Sequence, residues 1–147
     1  MPIVYINIGS NLGDRKGAIQ KALHRIGDYF GYYCISEIVE SEPWGFDSTN
    51  SFMNIGVAFK TSLSPEEVLD ILQQIEKEIS TVSHRDEFGN YKDREIDIDI
   101  MAIEGVRMTS ERLSLPHPHL HERPFFIGPL KELTVANVNP QKGSGSM

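Results

Sequence analysis

The sequence predicts an α+β fold in which one β-sheet carries two helices on a single face. Four segments look like strands, two of them with clear alternation, and two further segments have the periodicity of amphipathic helices. Their order along the chain is β-α-β-β-α-β, which is the ferredoxin-like pattern. We therefore expect a sandwich of one sheet and one helical layer, with two long active-site loops at residues 41–51 and 83–94.

A side-chain period of two marks the predicted strands at 52–60 and 95–103, whereas 34–40 is the weaker prediction. The four predicted strands cover residues 3–8, 34–40, 52–60 and 95–103. The last is the clearest, because Ile96, Ile98 and Ile100 alternate with polar neighbours. Asp97 and Asp99 then lie together on the opposite face from these isoleucines.

The two predicted helices cover residues 14–30 and 65–82, where apolar side chains recur at helical spacing. The second has a strong start signal. Ser64 is placed to cap the helix, Pro65 occupies its first position, and Glu67 completes a capping box.

Composition narrows the class of protein. The chain has 147 residues and a net charge of −7, which disfavours general nucleic-acid binding. No apolar run approaches the roughly 20 residues that span a membrane. Its one cysteine, Cys34, is interpreted as a small buried hydrophobe in a reducing compartment. We expect a monomeric, cytoplasmic protein with a single domain over residues 1–140 and a disordered tail at 141–147.

The pair Asp97 and Asp99 is the best candidate for chemistry. Residues two apart on a strand share a face, so both carboxylates project into the same space. Mg²⁺ prefers oxygen ligands and often shares them with substrate phosphates. Two solvated aspartates on an open sheet face are the simpler alternative. The isoleucine-rich strand and the flanking Arg94 and Arg112 favour a metal site.

Positive charge is concentrated in one part of this acidic chain. Five of the seven arginines fall between residues 85 and 123, and guanidinium groups match phosphate oxygens bidentately. A proline-stiffened run over 112–119 adds hydroxyl and imidazole donors. The alternation of His117, His119 and His121 also permits a zinc site, although hydrogen bonding to a nucleotide is favoured.

These motifs together resemble the 6-hydroxymethyl-7,8-dihydropterin pyrophosphokinase family over residues 3–133. The resemblance rests on IxIGSNLGD from Ile6 to Asp14, EPWG from Glu42 to Gly45, FMN from Phe52 to Asn54, Gln73 with Glu76, DRxIDID from Asp93 to Asp99, and the run from Arg112 through His117 to Phe125. It implies a ferredoxin-like fold and transfer of pyrophosphate from ATP to a pterin hydroxymethyl group, giving AMP, with small molecules as the only partners.

The resemblance also implies roles for individual residues. Asp97 and Asp99 would bind two Mg²⁺ ions, and Arg94 would stabilise the transferring group. The residues implied to hold ATP are Gln73, Glu76, Ile98, Arg112, Ser114, His117 and Arg123. Glu76 would lie between the two substrates. The residues implied to form the pterin pocket are Ser41, Pro43, Trp44, Phe52, Asn54 and Phe125.

The second long loop departs from the family pattern. An arginine usually follows the second helix, where this chain has Ser80, Thr81 and Val82. Arg85 is the first candidate to replace it, ahead of Lys92. The resemblance also implies an aromatic residue that closes over the pterin; this would be Phe88 or Tyr91, and the sequence does not choose between them.

Two other classes of function fit parts of the pattern. One is a metal-dependent hydrolase that uses the aspartates and histidines. The other is a non-catalytic ferredoxin-like module that binds a small ligand. The first predicts phosphate release without a pterin, and the second predicts no turnover.

Overall fold

A computed structural model describes residues 1–41, 51–80, 95–120, 122–123, 126 and 128–133. The helices and strands are β1 (Ile3–Ser10), α1 (Arg15–Phe30), β2 (Tyr33–Ile35), β3 (Val39–Ser41), β4 (Phe52–Lys60), α2 (Pro65–Ile79), β5 (Asp97–Ile103), β6 (Met108–Thr109) and β7 (Ser114–Leu115). Residues 128–133 are also helical. The predicted loops lie largely outside this part of the chain, at 42–50 and 81–94.

One antiparallel sheet has the strand order β2-β4-β1-β5, with β3 pairing β4 beyond β2. The first and fourth predicted strands are therefore neighbours, and β4 lies between β1 and β2. A small hairpin of β6 and β7 is separate from this sheet. The predicted ferredoxin-like α+β fold is confirmed.

Both helices begin within one residue of their predicted starts. The Ser64 hydroxyl accepts the Glu67 N–H, while the Glu67 carboxylate accepts the Ser64 N–H, which completes the capping box. Helix α1 begins one residue later than predicted, because Asp14 is its N-cap and accepts the Gly17 N–H at 3.0 Å. Gly13 supplies the positive φ, +70°, of the turn before it.

The main core lies between the two helices and one face of the sheet. Alternate residues of β1, such as Ile6 and Ile8, pack there against Leu23 of α1 and Leu72 of α2. The matching residues of β4 are Met53, Ile55, Val57 and Phe59. The period-two pattern in the sequence therefore identifies the face that the helices cover.

The predicted strand at 34–40 is wrong as a single element, because it is interrupted at residues 36–38. Ile35 pairs with Val57 and Val39 pairs with Asn54. The segment from β2 to β3 therefore contains one residue more than the part of β4 that it pairs with. The Ser36 hydroxyl accepts the Gly56 N–H at 2.8 Å. That side-chain bond replaces a strand contact and directs the chain into β3.

An irregularity in β5 changes which residues face the helices. Tyr5 pairs with Ala102, but Ile6 pairs with Ile100, so Met101 is an extra residue. Beyond this point Ile103, rather than an even-numbered residue, joins the main core. Met101 itself packs on the other face of the sheet, with Leu120 and Phe126.

Part of the sheet face opposite the helices is covered by the end of the described chain. Leu133 packs with Cys34 and Ala58. Gly56 permits this close approach, since a Cβ there would lie 2.7 Å from Pro129 Cβ. The other end of this face carries polar residues, and they form the candidate site. Within the described residues, no helix is long and apolar enough to cross a membrane.

Candidate active site

Asp97 and Asp99 lie on β5, on the sheet face opposite the helices. Asp97 pairs with Gly9 across the sheet, and Asp99 pairs with Asn7. The intervening Ile98 is buried in the main core, whereas the two aspartates are only partly buried. The two carboxylates therefore project to the same side from a hydrogen-bonded strand, as the D-x-D spacing predicts.

Arg123 brings positive charge next to this pair. Its Nη1 lies 4.0 Å from Asp99 Oδ2, and its side chain is 15% exposed. The guanidinium carbon also lies 5.0 Å from the centre of the Phe126 ring, which helps to hold it in place. The sequence placed Arg123 among the ATP ligands, and the structure places it beside the carboxylates.

His117 is held as a neutral hydrogen-bond donor. Its Nδ1 accepts the backbone N–H of His119 at 3.0 Å, so Nε2 carries the hydrogen of the neutral ring. Burial, then the charges of Arg123 and His119, lower the pKa of His117 to about 4, against an opposing effect of Asp97. The backbone N–H of His117 donates to the Met101 carbonyl oxygen at 2.8 Å, which connects the segment that carries His117 to β5.

A cleft of about 260 Å³ lies beside β5. Its walls are β5, helix α2 and the segment 110–118, which contribute Leu69, Ile98, Asp99, Ile100, Ser110, Glu111, Arg112, Leu113, Ser114, His117 and Pro118. Four of the residues that the sequence assigned to ATP are among them: Ile98, Arg112, Ser114 and His117. The structure therefore brings these four together around one space, with Asp99 at its wall.

Arg112 is anchored to helix α2 across the mouth of the cleft. Its Nη2 donates to Asp70 Oδ1 at 2.6 Å and to Gln73 Oε1 at 3.2 Å. Gln73, which the sequence assigned to ATP, therefore contacts the described Arg112 side chain. Asp70 was not among the predicted residues. It orients the guanidinium while about half of the Arg112 side chain stays exposed.

Glu76, on helix α2, contacts the backbone of β5 at Ile98. Its side chain is 8% exposed, and its Oε2 accepts the Ile98 N–H at 2.7 Å. No described strand pairs with that edge of β5. The glutamate therefore satisfies a backbone donor between Asp97 and Asp99, in addition to its predicted place between the substrates.

Ser41, Phe52 and Asn54 lie together where β3 meets β4. Asn54 Nδ2 donates to Ser41 Oγ at 2.9 Å and to Val39 O at 3.2 Å. Asn54 Oδ1 accepts from Asn7 Nδ2 at 3.2 Å. Phe52 is buried on the same face. Three predicted pterin residues therefore share one face, with Phe52 and Asn54 two strands and Ser41 three strands away from the aspartates.

Several predicted site residues lie outside the described residues. They are Pro43, Trp44, Arg85, Arg94 and Phe125, together with the alternatives Phe88, Tyr91 and Lys92. Their assignments stay predictions.

The described histidines do not form a metal cluster. His117 Nδ1 already accepts a backbone N–H, and His119 Nδ1 lies 2.8 Å from Glu122 Oε2. Among the residues with described positions, no three of His, Cys, Asp or Glu converge as metal ligands. His121 lies outside that set, so only the hydrogen-bonding role of His117 has direct geometric support.

Asn7 is the main residue that the sequence reasoning missed. It is buried, it pairs with Asp99, and it bonds to Asn54. A signal was present, because an amide interrupts the apolar segment IVYINI at a position facing away from the helices. Its partner on β4, however, follows only from the strand order.

Comparison with known proteins identifies the relatives of this chain. The family model for 7,8-dihydro-6-hydroxymethylpterin-pyrophosphokinase (HPPK) matches residues 5–135. The 2-amino-4-hydroxy-6-hydroxymethyldihydropteridine pyrophosphokinase of Aquifex aeolicus is 37% identical over 140 residues, covering 95% of this chain and 85% of that protein. The protein of the same name from Porphyromonas gingivalis is 40% identical over 136 residues, covering 90% and 91%.

A solved structure supports the fold. The chain described as an HPPK-DHPS in complex with substrates superimposes with a TM-score of 0.61 at 14% sequence identity. The match covers 90% of this chain and 40% of the other. At that identity the likeness concerns the arrangement of strands and helices.

Proposed function

This chain belongs to the 7,8-dihydro-6-hydroxymethylpterin-pyrophosphokinase family. On that premise we propose which of its residues bind ATP, the metal and the pterin. The protein is an ATP-dependent pterin pyrophosphokinase. It transfers pyrophosphate to the hydroxymethyl group of 6-hydroxymethyl-7,8-dihydropterin, a step of folate biosynthesis, with ATP as co-substrate. The family match sets aside the hydrolase and the binding module.

The position of Asp99 carries the proposal. Asp99 lines the cleft that contains Arg112 and His117. On its other side, its strand partner Asn7 bonds to Asn54. One carboxylate therefore lies between a cleft with cationic and imidazole donors and a polar group suited to a heterocycle edge. Transfer between two substrates requires such an intermediate position.

We assign the cleft to ATP. Arg112 and Arg123 offer charge to phosphate oxygens, because a guanidinium forms bidentate bonds with them. His117 offers its Nε2 hydrogen without adding a charge, since its ring is neutral at pH 7. Ser114 adds a hydroxyl at the cleft wall. Arg94 and Arg85 are proposed to complete the charge around the transferring group.

The aspartate pair suits Mg²⁺. The donors are carboxylate oxygens, which this ion prefers. They share one face of β5, and Asp99 lines the proposed phosphate cleft. Asp97 and Asp99 would hold two Mg²⁺ ions. When bound, Mg²⁺ neutralises charge on the phosphates and polarises the bond to be broken.

We assign the pterin to the face formed by Ser41, Phe52 and Asn54, with Pro43, Trp44 and Phe125 completing the pocket. Phe52 supplies apolar area, and the amide and hydroxyl supply the few polar groups that orient a bound heterocycle.

A monomeric state and a cytoplasmic location stay predictions.

The test is an assay for AMP with purified protein, Mg²⁺, ATP and the hydroxymethyl dihydropterin. We expect AMP to appear only when the pterin is present. Asp97→Asn and Asp99→Asn should lower turnover at least 100-fold in folded protein. Asp28→Asn, an identical change on the surface of α1, is the matched control and should keep full activity. Near-normal turnover of either site variant would refute the metal assignment.

A further inference from the structure

A chain of side-chain hydrogen bonds crosses three strands of the sheet near the proposed pterin pocket. It runs from Asn7 on β1 to Asn54 on β4, and from Asn54 to Ser41 and Val39 on β3. Asn7 is 3% exposed and Asn54 is 1% exposed. Both amides are therefore buried, where the orientation of each polar group has a large energetic consequence.

The backbone sets the direction of this chain. Val39 contributes a carbonyl, which can only accept, so Asn54 must turn its Nδ2 towards β3. Asn54 Oδ1 then faces β1, and Asn7 must present its Nδ2 to it. Both hydrogens of Asn54 Nδ2 are used, by Val39 O and Ser41 Oγ. What Asn54 has left for a ligand is the second lone pair of Oδ1.

The space around Asn54 is matched to this arrangement. Gly9 lies beside it, and a Cβ there would come within 2.9 Å of Asn54 Oδ1. The oxygen therefore lies against β1, with the backbone of Gly9 close to it and the Asn7 amide as its donor. A pterin ring offers N–H donors along one edge, and an oriented amide oxygen is a fitting acceptor for one of them.

Asn7 is a poor choice for a purely structural position. Its Oδ1 is buried and has no hydrogen-bond partner among the described residues. A buried acceptor without a donor lowers stability, whereas an apolar residue in the middle of β1 would avoid that loss. A residue that costs stability while orienting a binding group points to a functional role.

We propose that Asn7 is a positioning residue for pterin binding, which acts by fixing the amide of Asn54 so that Oδ1 faces the pterin edge. This inference rests on the proposed pterin pocket. It adds a residue from β1 to a pocket that we otherwise draw from β3, β4, the segment after β3 and Phe125. It also links that pocket to Asp99, the strand partner of Asn7.

The experiment measures the dissociation constants of the pterin and of a non-hydrolysable ATP analogue, each alone, by calorimetry on the full chain. The variants are Asn7→Ala, Asn7→Leu, Asn54→Ala and the double variant Asn7→Ala with Asn54→Ala. Asn7→Leu restores volume without the donor. Ser36→Ala is the matched control, because it removes a buried hydrogen bond from the same sheet, to Gly56.

Both Asn7 variants should weaken pterin binding about tenfold, which corresponds to one lost hydrogen bond, and change ATP-analogue binding less than twofold. Ser36→Ala should leave both constants within twofold. In the Asn54→Ala background, Asn7→Ala should have no further effect on the pterin. Asn7→Leu should stay as weak as Asn7→Ala, even if its melting temperature returns to that of the unmodified chain.

Three results would overturn the inference. Pterin binding within twofold of the unmodified chain in both Asn7 variants, with Asn54→Ala weakened, refutes the role of Asn7 and keeps the pocket. Equal losses for both ligands indicate a general structural effect instead. Unchanged pterin binding in Asn54→Ala refutes the pocket assignment itself, while AMP formation by the unmodified chain would still support the overall function.

Discussion

Removing the Glu76 carboxylate tests how strongly its hydrogen bond stabilises β5, the strand that carries Asp97 and Asp99. Glu76 Oε2 accepts the Ile98 N–H at 2.7 Å from a side chain that is 8% exposed. Glu76→Ala leaves a backbone donor without this partner, at an edge of β5 where no described strand pairs. Glu76→Gln keeps an oxygen acceptor of the same length but loses its charge.

The expected magnitude follows from the kind of bond. Hydrogen bonds to charged groups contribute about 1.5–3 kcal/mol and neutral ones about 0.5–1.5 kcal/mol. Glu76→Ala should therefore lower the free energy of unfolding by about 2–3 kcal/mol, and Glu76→Gln by about 1 kcal/mol. For a chain of this size, the first corresponds to a fall in melting temperature of about 5–10 °C.

Urea unfolding of ligand-free protein, followed by circular dichroism, measures both values. Glu66→Gln is the matched control, because Glu66 is exposed in the first turn of the same helix. Its unfolding free energy should stay within about 0.5 kcal/mol of the unmodified chain. If Glu76→Ala were as stable as this control, the bond to Ile98 would contribute nothing and the reasoning would be wrong.

Three further predictions concern the site. NMR titration should show His117 neutral down to about pH 4. In the unfolded chain the same ring binds its proton near pH 6.5. The free energy of unfolding should therefore fall as the pH drops from about 6.5 to 4, and it should fall less in His117→Gln. A His117 ring that titrates near pH 6.5 in the folded protein would contradict this. Gly9→Ala places a Cβ 2.9 Å from Asn54 Oδ1, so calorimetry should show about tenfold weaker pterin binding and unchanged ATP-analogue binding, whereas equal losses would count against it. Arg112→Ala removes exposed bonds to Asp70 and Gln73, so the free energy of unfolding should change by less than about 1 kcal/mol. The Kd of the ATP analogue should rise about tenfold, because a guanidinium that binds phosphate is lost. An unchanged Kd would exclude Arg112 from the nucleotide site.

Local patterns in the sequence were sufficient for the two helices and the main strands, and for the core-facing side of β4. The capping box at Ser64 and the alternation in β4 depend on neighbours within a few residues, so they can be seen without a fold. The D-x-D spacing likewise determines that Asp97 and Asp99 share a face, because a strand repeats every two residues. The roles of the site residues came from the family resemblance rather than from spacing.

Other features depend on segments that are distant in sequence. The interruption between β2 and β3 is accompanied by the bond of Ser36 to Gly56, and the extra residue in β5, Met101, packs in a cluster with Phe126. Neither partner is visible from the local pattern. Strand register responds to whichever side chains meet across the sheet, and a shift of one residue reverses the faces.

The site shows the same division. The sequence alone determined which carboxylates, arginines and histidines are available and that two aspartates point the same way. Only the tertiary structure placed Glu76 against Ile98 and joined Asn7 to Asn54, residues 22 and 47 positions apart in the chain. The Asn7–Asn54 contact arises because the sheet order places β1 next to β4, and the Glu76–Ile98 contact arises because helix α2 packs against β5. Both arrangements are decided by the packing of the whole core rather than by any one segment.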